Sequence, residues 1–276
     1  MISMLLSPIK ISVILLVLLG FINPVFSQSS AGSNVFKFSM ASPQLDSLRQ
    51  IWVYLPGTYN ETDKAYPVLY LQDAQNLFDN STSFSGEWRV DEILDSLKTE
   101  LIVVGIEHGN DKRIDELTPY PHQEYKGGKA ENYLDFIITS LMPEIKHRYR
   151  TLQGPESTFI GGSSLSGLFA YYSIIKNPEI FGKALIFSPS FWYSDDIFHL
   201  TETIETQEIS KIKMYFRAGE QESETMVPLM FKMRQQLIDK GLSPCNLNIL
   251  GIPDGKHNEG FWSSQFPDAV LWLRKD

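Results

Sequence analysis

One cysteine in 276 residues, Cys245, cannot close an internal disulfide, so this chain must hold its fold by packing rather than by covalent staples. It stands in GLSPCNLNIL at the head of an apolar run, which predicts a small buried side chain. Histidine is scarce, five in all, and no H-E-x-x-H or His/Cys cluster occurs. That leaves no sequence support for a zinc-type metal centre or any other cofactor. No glycine-rich loop carries the lysine that a phosphate-binding loop needs. A basic run is missing too: 24 Lys plus Arg stand against 33 Asp plus Glu, a net charge of -9. This balance argues against nucleic acid or an anionic membrane surface as a partner. Internal repeats, low-complexity blocks and linkers are absent after residue 34.

What is present is enough apolar material for a sizeable core, 43% hydrophobic and 12% aromatic, which excludes wholesale disorder. Lys10 precedes the apolar run ISVILLVLLGFINPVF, with Val25 and Ser27 as small residues before a cut at Gln28. This is the layout of a secretory signal peptide over residues 1–27. The competing reading is an uncleaved anchor, but the run is short for a membrane span. Lipid attachment is excluded because no cysteine lies near the cut. Residues 28–276 then read as one exported domain, periplasmic or extracellular, with no stable membrane insertion once the leader is gone.

Along that domain, apolar runs of strand length alternate with segments of helical spacing. Strands are predicted at 50–56, 67–73, 101–107, 157–162, 183–189, 211–220 and 247–253. Helices are predicted at 88–100, 131–150, 165–177, 224–241 and 267–275. The alternation predicts an α/β domain with a mainly parallel sheet covered on both faces. In such sheets ligands bind beyond the carboxyl ends of the strands.

At one of those ends stands FIGGSSLSGLFA, residues 159–170. A G-x-S-x-G turn between strand and helix exposes its serine, provided the positions two before and two after are small. Only Ser164 has small residues on both sides, Gly162 and Ser166. Ser163 would meet Leu165, and Ser166 would meet Leu168. Ser164 is therefore the candidate nucleophile. A serine needs a base and the base an orienting acid, in the chain order Ser, acid, His. Of the histidines after Ser164, His257 lies in PDGKHNEGFW just past the last strand, whereas His199 follows a helical-looking DDIFHL. His257 is the candidate base. The acid should follow MYFRAGEQESE: Glu222 is preferred, with Glu220 and Glu224 open. Backbone N–H groups of Leu165 and of Ala74 or Gln75 are the natural oxyanion donors.

These segments resemble a known family. YPVLYLQDAQNLFD, IVVGIEHG, RIDELTPY, GGKAENYLDFIITSLMPEIKHRYR, IGGSSLSGLFAYYSIIKNPEIFGKALIFSPSFWY, YFRAGEQESETM and GKHNEGFWSSQFPDAVLWL run in order over nearly all of the chain from about residue 50. They are similar to the Putative esterase family of the α/β-hydrolase superfamily. That family includes esterase D type enzymes, feruloyl and acetyl-xylan esterases, mycolyl transferases and siderophore trilactone esterases. The resemblance implies an α/β-hydrolase fold, Ser164 as nucleophile, His257 as base and an acid at Glu222. Two departures stand out. The family's G-S-S-x-G-G has Ser166 in place of a glycine, and its HDGQN reads QDAQN here, with Gln72 and Ala74. Both are expected to add side-chain bulk near the pocket and to bear on substrate rather than chemistry.

The leading expectation is a secreted or periplasmic serine esterase acting on a small-molecule or carbohydrate ester, with a siderophore trilactone or an acylated polysaccharide as candidate substrate. Trp192, Tyr193, Phe261 and Trp262 are the expected aromatic walls, and Arg113 the cation for an anionic substrate. A non-catalytic binding protein on the same scaffold and an acyltransferase are the alternatives. Oligomeric state is not encoded in these patterns.

Overall fold

The computed structural model describes residues 29–274, so the expected leader lies outside the described residues. Eight strands form one sheet: β1 (Val35–Ser42), β2 (Ser47–Tyr54), β3 (Val68–Gln72), β4 (Ile102–Ile106), β5 (Thr158–Ser163), β6 (Lys183–Phe187), β7 (Lys213–Gly219) and β8 (Leu247–Ile252). Their spatial order is β1-β2-β4-β3-β5-β6-β7-β8. β1 with β2 and β2 with β4 are antiparallel, and every later pairing is parallel. This is the mainly parallel α/β architecture read from the sequence.

Helices α1 (Val90–Ser96), α2 (Arg113–Leu117), α3 (Ala130–Asp135), α4 (Met142–Arg148), α5 (Leu165–Lys176), α6 (Asp196–Thr203), α7 (Thr206–Ile209), α8 (Met226–Asp239) and α9 (Glu259–Leu273) cover both faces. Alternation along each strand assigns side chains to one face or the other. Ile51, Val53, Val68 and Tyr70 pack with residues of α3, α5 and α8, whereas Trp52, Leu69 and Leu71 pack with residues of α1 and α9. Central strands β3 and β4 are buried throughout, which is why they read as unbroken apolar runs.

Several elements differ from expectation; the short helices α2 and α7 were not predicted. β1 was not anticipated: it is an edge strand with most positions partly exposed, so VFKFSMAS carries little apolar signal. The segment expected as one helix over 131–150 is α3 and α4 joined by a widened π-helical stretch, Phe136–Leu141, which accommodates Pro143. The final helix begins at Glu259 rather than near residue 267. Asn258 caps it by accepting from Phe261 N–H at 2.9 Å, and Pro267 lies inside it. Cys245 is exposed, contrary to the buried reading, because it sits in a short turn leading into the partly exposed edge strand β8.

Two loops meet at a glycine pair. A Cβ on Gly219 would lie 2.1 Å from the Gly255 carbonyl, so the ends of β7 and of the β8–α9 loop touch backbone to backbone. No side chain can separate them without moving main chain. Gly219→Ala is therefore expected to lower unfolding free energy by about 1–3 kcal/mol. Gly57→Ala, where the added carbon meets nothing within 4 Å, should leave thermal unfolding unchanged or slightly raised.

Candidate active site

The carboxyl ends of three neighbouring parallel strands break into left-handed backbone. Asp73 follows β3 at φ 59°, Ser164 follows β5 at φ 59° and Ser188 follows β6 at φ 44°. Side chains rarely tolerate this region, so three such residues side by side mark stored strain. At Ser164 the chain passes from β5 straight into α5 with ψ -123°. The space inside that turn is small. A Cβ on Gly162 would lie 2.5 Å from the Ser166 Cβ, and one on Gly167 would lie 2.7 Å from the Phe187 carbonyl oxygen. Ser166 is accommodated because Gly162 carries no side chain.

The elbow brings Ser164 Oγ 3.0 Å from His257 Nε2. His257 Nδ1 lies 2.7 Å from Glu222 Oε2. Glu222 is almost fully buried, and its other oxygen accepts from Gly219 N–H and from Ser188 Oγ, both at 2.6 Å. Ser188 in turn accepts from the Trp262 indole N–H at 2.8 Å, and the Trp262 ring stands edge-on to His257 with centroids 5.0 Å apart. Of the three glutamates left open by sequence, Glu222 is the one bonded to His257. Glu222 therefore stands at the end of a serine–imidazole–carboxylate chain with every carboxylate oxygen hydrogen-bonded. Such a chain can move a proton from a serine hydroxyl to an imidazole. Leu165 opens α5, and Ala74 and Gln75 open a short 3-10 turn closed by Asn76 N–H to the Asp73 carbonyl. First-turn N–H groups of this kind have no intrahelical partner and can meet a developing negative charge.

A cavity of about 300 Å³ opens at the serine, with Gln75, Phe84, Arg113, His257, Glu259 and Trp262 among its walls. Trp262 and Arg113 line it. Trp192 and Tyr193 do not: Trp192 is about half exposed against Tyr125, and the buried Tyr193 donates its hydroxyl to the Lys126 carbonyl at 2.9 Å. Phe84, 90% exposed at the rim, was missed, because STSFSG in a turn-rich stretch gives no periodic signal.

The two departures from the family pattern act differently from expectation. Ala74 and Gln72 are buried and lie outside the cavity wall, and Ala74 packs against Gly105. Ser166 is fully buried and donates to Asp73 Oδ2 at 2.6 Å. Asp73 holds Arg113 bidentately, through Nε and Nη2 at 2.8 Å each. Burial pushes the Asp73 carboxyl up, but Arg113 and Ser166 hold it below the usual carboxylate range. Burial, reinforced by Asp73, raises Glu259, and burial lowers His108. The cation beside the serine thus arrives already paired.

Residues 42–273 match the profile of the Putative esterase family. The chain belongs to that family. The chain is a carboxylic ester hydrolase, and its sheet is that of the α/β-hydrolase fold. The uncharacterized protein YbbA of Bacillus subtilis (strain 168) is 29% identical over 249 residues, covering 82% of this chain and 92% of that protein. The iron(III) salmochelin esterase of Escherichia coli O6:H1 is 25% identical over 242 residues, covering 82% of this chain and 54% of that protein. Among solved structures, the BES protein from Bacillus cereus superposes with a TM-score of 0.73 at 20% identity, over 92% of this chain and 100% of the other, a likeness in fold.

Removing the Ser166 hydroxyl by Ser166→Ala should cost about 1.5–3 kcal/mol of stability at neutral pH, because the lost bond reaches a buried carboxylate. The sign of the pH dependence follows from the lowered Asp73 pKa. Such a group stabilises the fold above its unfolded value, about 4, and that stabilisation is lost as pH falls through the folded value. The gap between wild type and variant in urea unfolding should be full at pH 7 and shrink below about pH 4.

Proposed function

We propose that this protein is an exported serine esterase whose nucleophile is Ser164, with His257 as general base and Glu222 as the orienting acid. The unbroken hydrogen-bonded chain from Glu222 through His257 to a serine on a strained elbow carries this reading. Ser164 Oγ attacks the ester carbonyl carbon and passes its proton to His257 Nε2. The N–H groups of Leu165 and of Ala74 or Gln75 hold the resulting oxyanion. As the tetrahedral intermediate collapses, the alcohol leaves with the proton from His257. Water then attacks the acyl-serine with His257 again as base, releasing the acid and restoring the hydroxyl.

For the substrate we favour a siderophore trilactone over an acylated polysaccharide. The relative at 25% identity is by name an iron(III) salmochelin esterase, and the cavity here pairs an exposed phenylalanine with an arginine. Phe84 offers a face for an aromatic acyl group. Arg113 keeps Nη1 uncommitted by Asp73. The leader read at residues 1–27 supports export.

Ser164→Ala should lower kcat/KM for p-nitrophenyl acetate by a factor on the order of 10^4–10^6 while thermal unfolding stays unchanged. Turnover at the wild-type rate would overturn the nucleophile. Across an ester panel, a catecholate trilactone should give the highest kcat/KM, and Phe84→Ala should lower it for that substrate more than for p-nitrophenyl acetate. A preference for feruloyl or acetyl sugar esters would overturn the substrate class and leave the serine chemistry standing.

A further inference from the structure

At the start of α1, outside the lining of the serine cavity, three carboxylates converge. One oxygen each of Glu87, Asp91 and Glu92 lies within 4.8 Å of the other two. Each residue commits one oxygen to a protein donor. Glu87 Oε2 accepts from Ser30 Oγ at 3.0 Å, Asp91 Oδ2 from Gly32 N–H at 2.7 Å, and Glu92 Oε1 faces Arg89 Nε at 3.4 Å. The second oxygen of each, Glu87 Oε1, Asp91 Oδ1 and Glu92 Oε2, is buried and faces no N–H or hydroxyl donor; Asp91 and Glu92 instead meet carboxyl to carboxyl, and burial together with that contact raises the Asp91 carboxyl. Asp91 is only 1% exposed, so no solvent shell replaces the missing partner. Three buried carboxylate oxygens without a donor in one place are costly, and the neighbouring guanidinium of Arg89 is itself largely exposed.

We propose that Glu87, Asp91 and Glu92 bind a divalent cation, Ca²⁺ by its donor chemistry, and that this ion staples the segment 29–34 and the loop carrying Phe84 to α1. The donors are all hard oxygens, with no histidine or thiol, which excludes a zinc preference. A spread of up to 4.8 Å between donors is what a central ion at Ca–O distances of about 2.3–2.6 Å spans. Mg²⁺, at about 2.0–2.1 Å and with a strict octahedron, fits a looser trio less well. The carboxylates that would hold the ion also bind Ser30 and Gly32, so the ion and the N-terminal segment share ligands. Glu87 also lies three residues beyond Phe84, and Trp88 beside it packs on Trp262 with centroids 6.0 Å apart. An acidic trio carries none of the His/Cys spacing by which metal centres are read from sequence.

The test is made on the full domain after removal of metals with a chelator, by thermal unfolding and by titration calorimetry with CaCl₂. At pH 7.5, Ca²⁺ at about a hundred times its Kd should raise Tm by roughly 5–10 °C. Calorimetry should give one site, with a Kd of about 10⁻⁴–10⁻³ M if the site behaves like other extracellular calcium modules. Glu87→Gln with Glu92→Gln should abolish the shift. An equal shift in that variant overturns the assignment to these residues, and an equal response to Mg²⁺ overturns the choice of calcium. Should the variant fail to fold, the wild type still decides. No calorimetric signal and no Tm shift with Ca²⁺, Mg²⁺ or Mn²⁺, together with stability that rises on mild acidification, would assign the cluster to shared protons and overturn the proposal. These readouts involve neither catalysis nor Ser164, so they stand or fall apart from the esterase reading.

Discussion

The turn at Ser164 is the constraint on which the rest of the site depends. A strand and a helix are joined there through Ser164 alone, and the serine backbone is forced to φ 59°. Left-handed backbone at a residue with a side chain costs on the order of 1–3 kcal/mol, and it persists only where the surroundings leave no alternative. Here they leave none. Gly162 and Gly167 admit no Cβ, Ser164 N–H bonds the Phe187 carbonyl, and β5 is paired on both sides. The strain sets the direction of the serine oxygen, and α5 brings its free N–H groups to the same point.

The neighbouring strands complete the arrangement by the same means. Ser188, also in left-handed backbone, sits after β6 and reaches Glu222 after β7, while Trp262 on α9 braces Ser188 and His257 together. The glycine pair Gly219 and Gly255 lets the acid's loop and the histidine's loop touch. Each polar side chain therefore points where it does because a different strand end was bent to allow it. Ser166 extends the same logic. A residue that departs from the family's glycine became a donor to Asp73, which holds Arg113 at the cavity wall.

Much of this was legible in the sequence wherever burial was complete. Strands β3 to β7 declare themselves as apolar runs because both faces are covered, and the serine elbow declares itself because crowding dictates small residues at fixed spacing. Legibility faded where surfaces are half wet. β1 is a partly exposed edge strand, Cys245 sits in an exposed turn, and the start of α9 is written in a polar cap rather than in periodicity. Position after β7 favoured Glu222 but left Glu220 and Glu224 open, since the choice turns on which carboxylate meets His257, a three-dimensional fact. The same holds for the cavity. Trp192 and Tyr193 are aromatic residues near the right strand end, yet they pack against the loop around Tyr125, whereas Phe84 sits at the rim.

Reaction with a fluorophosphonate reports most directly on whether the elbow serine is activated by the imidazole beside it. Mass spectrometry of the digested, labelled protein should find one adduct per chain, on Ser164. An adduct on another serine, or none under conditions that label a known serine esterase, would contradict the account.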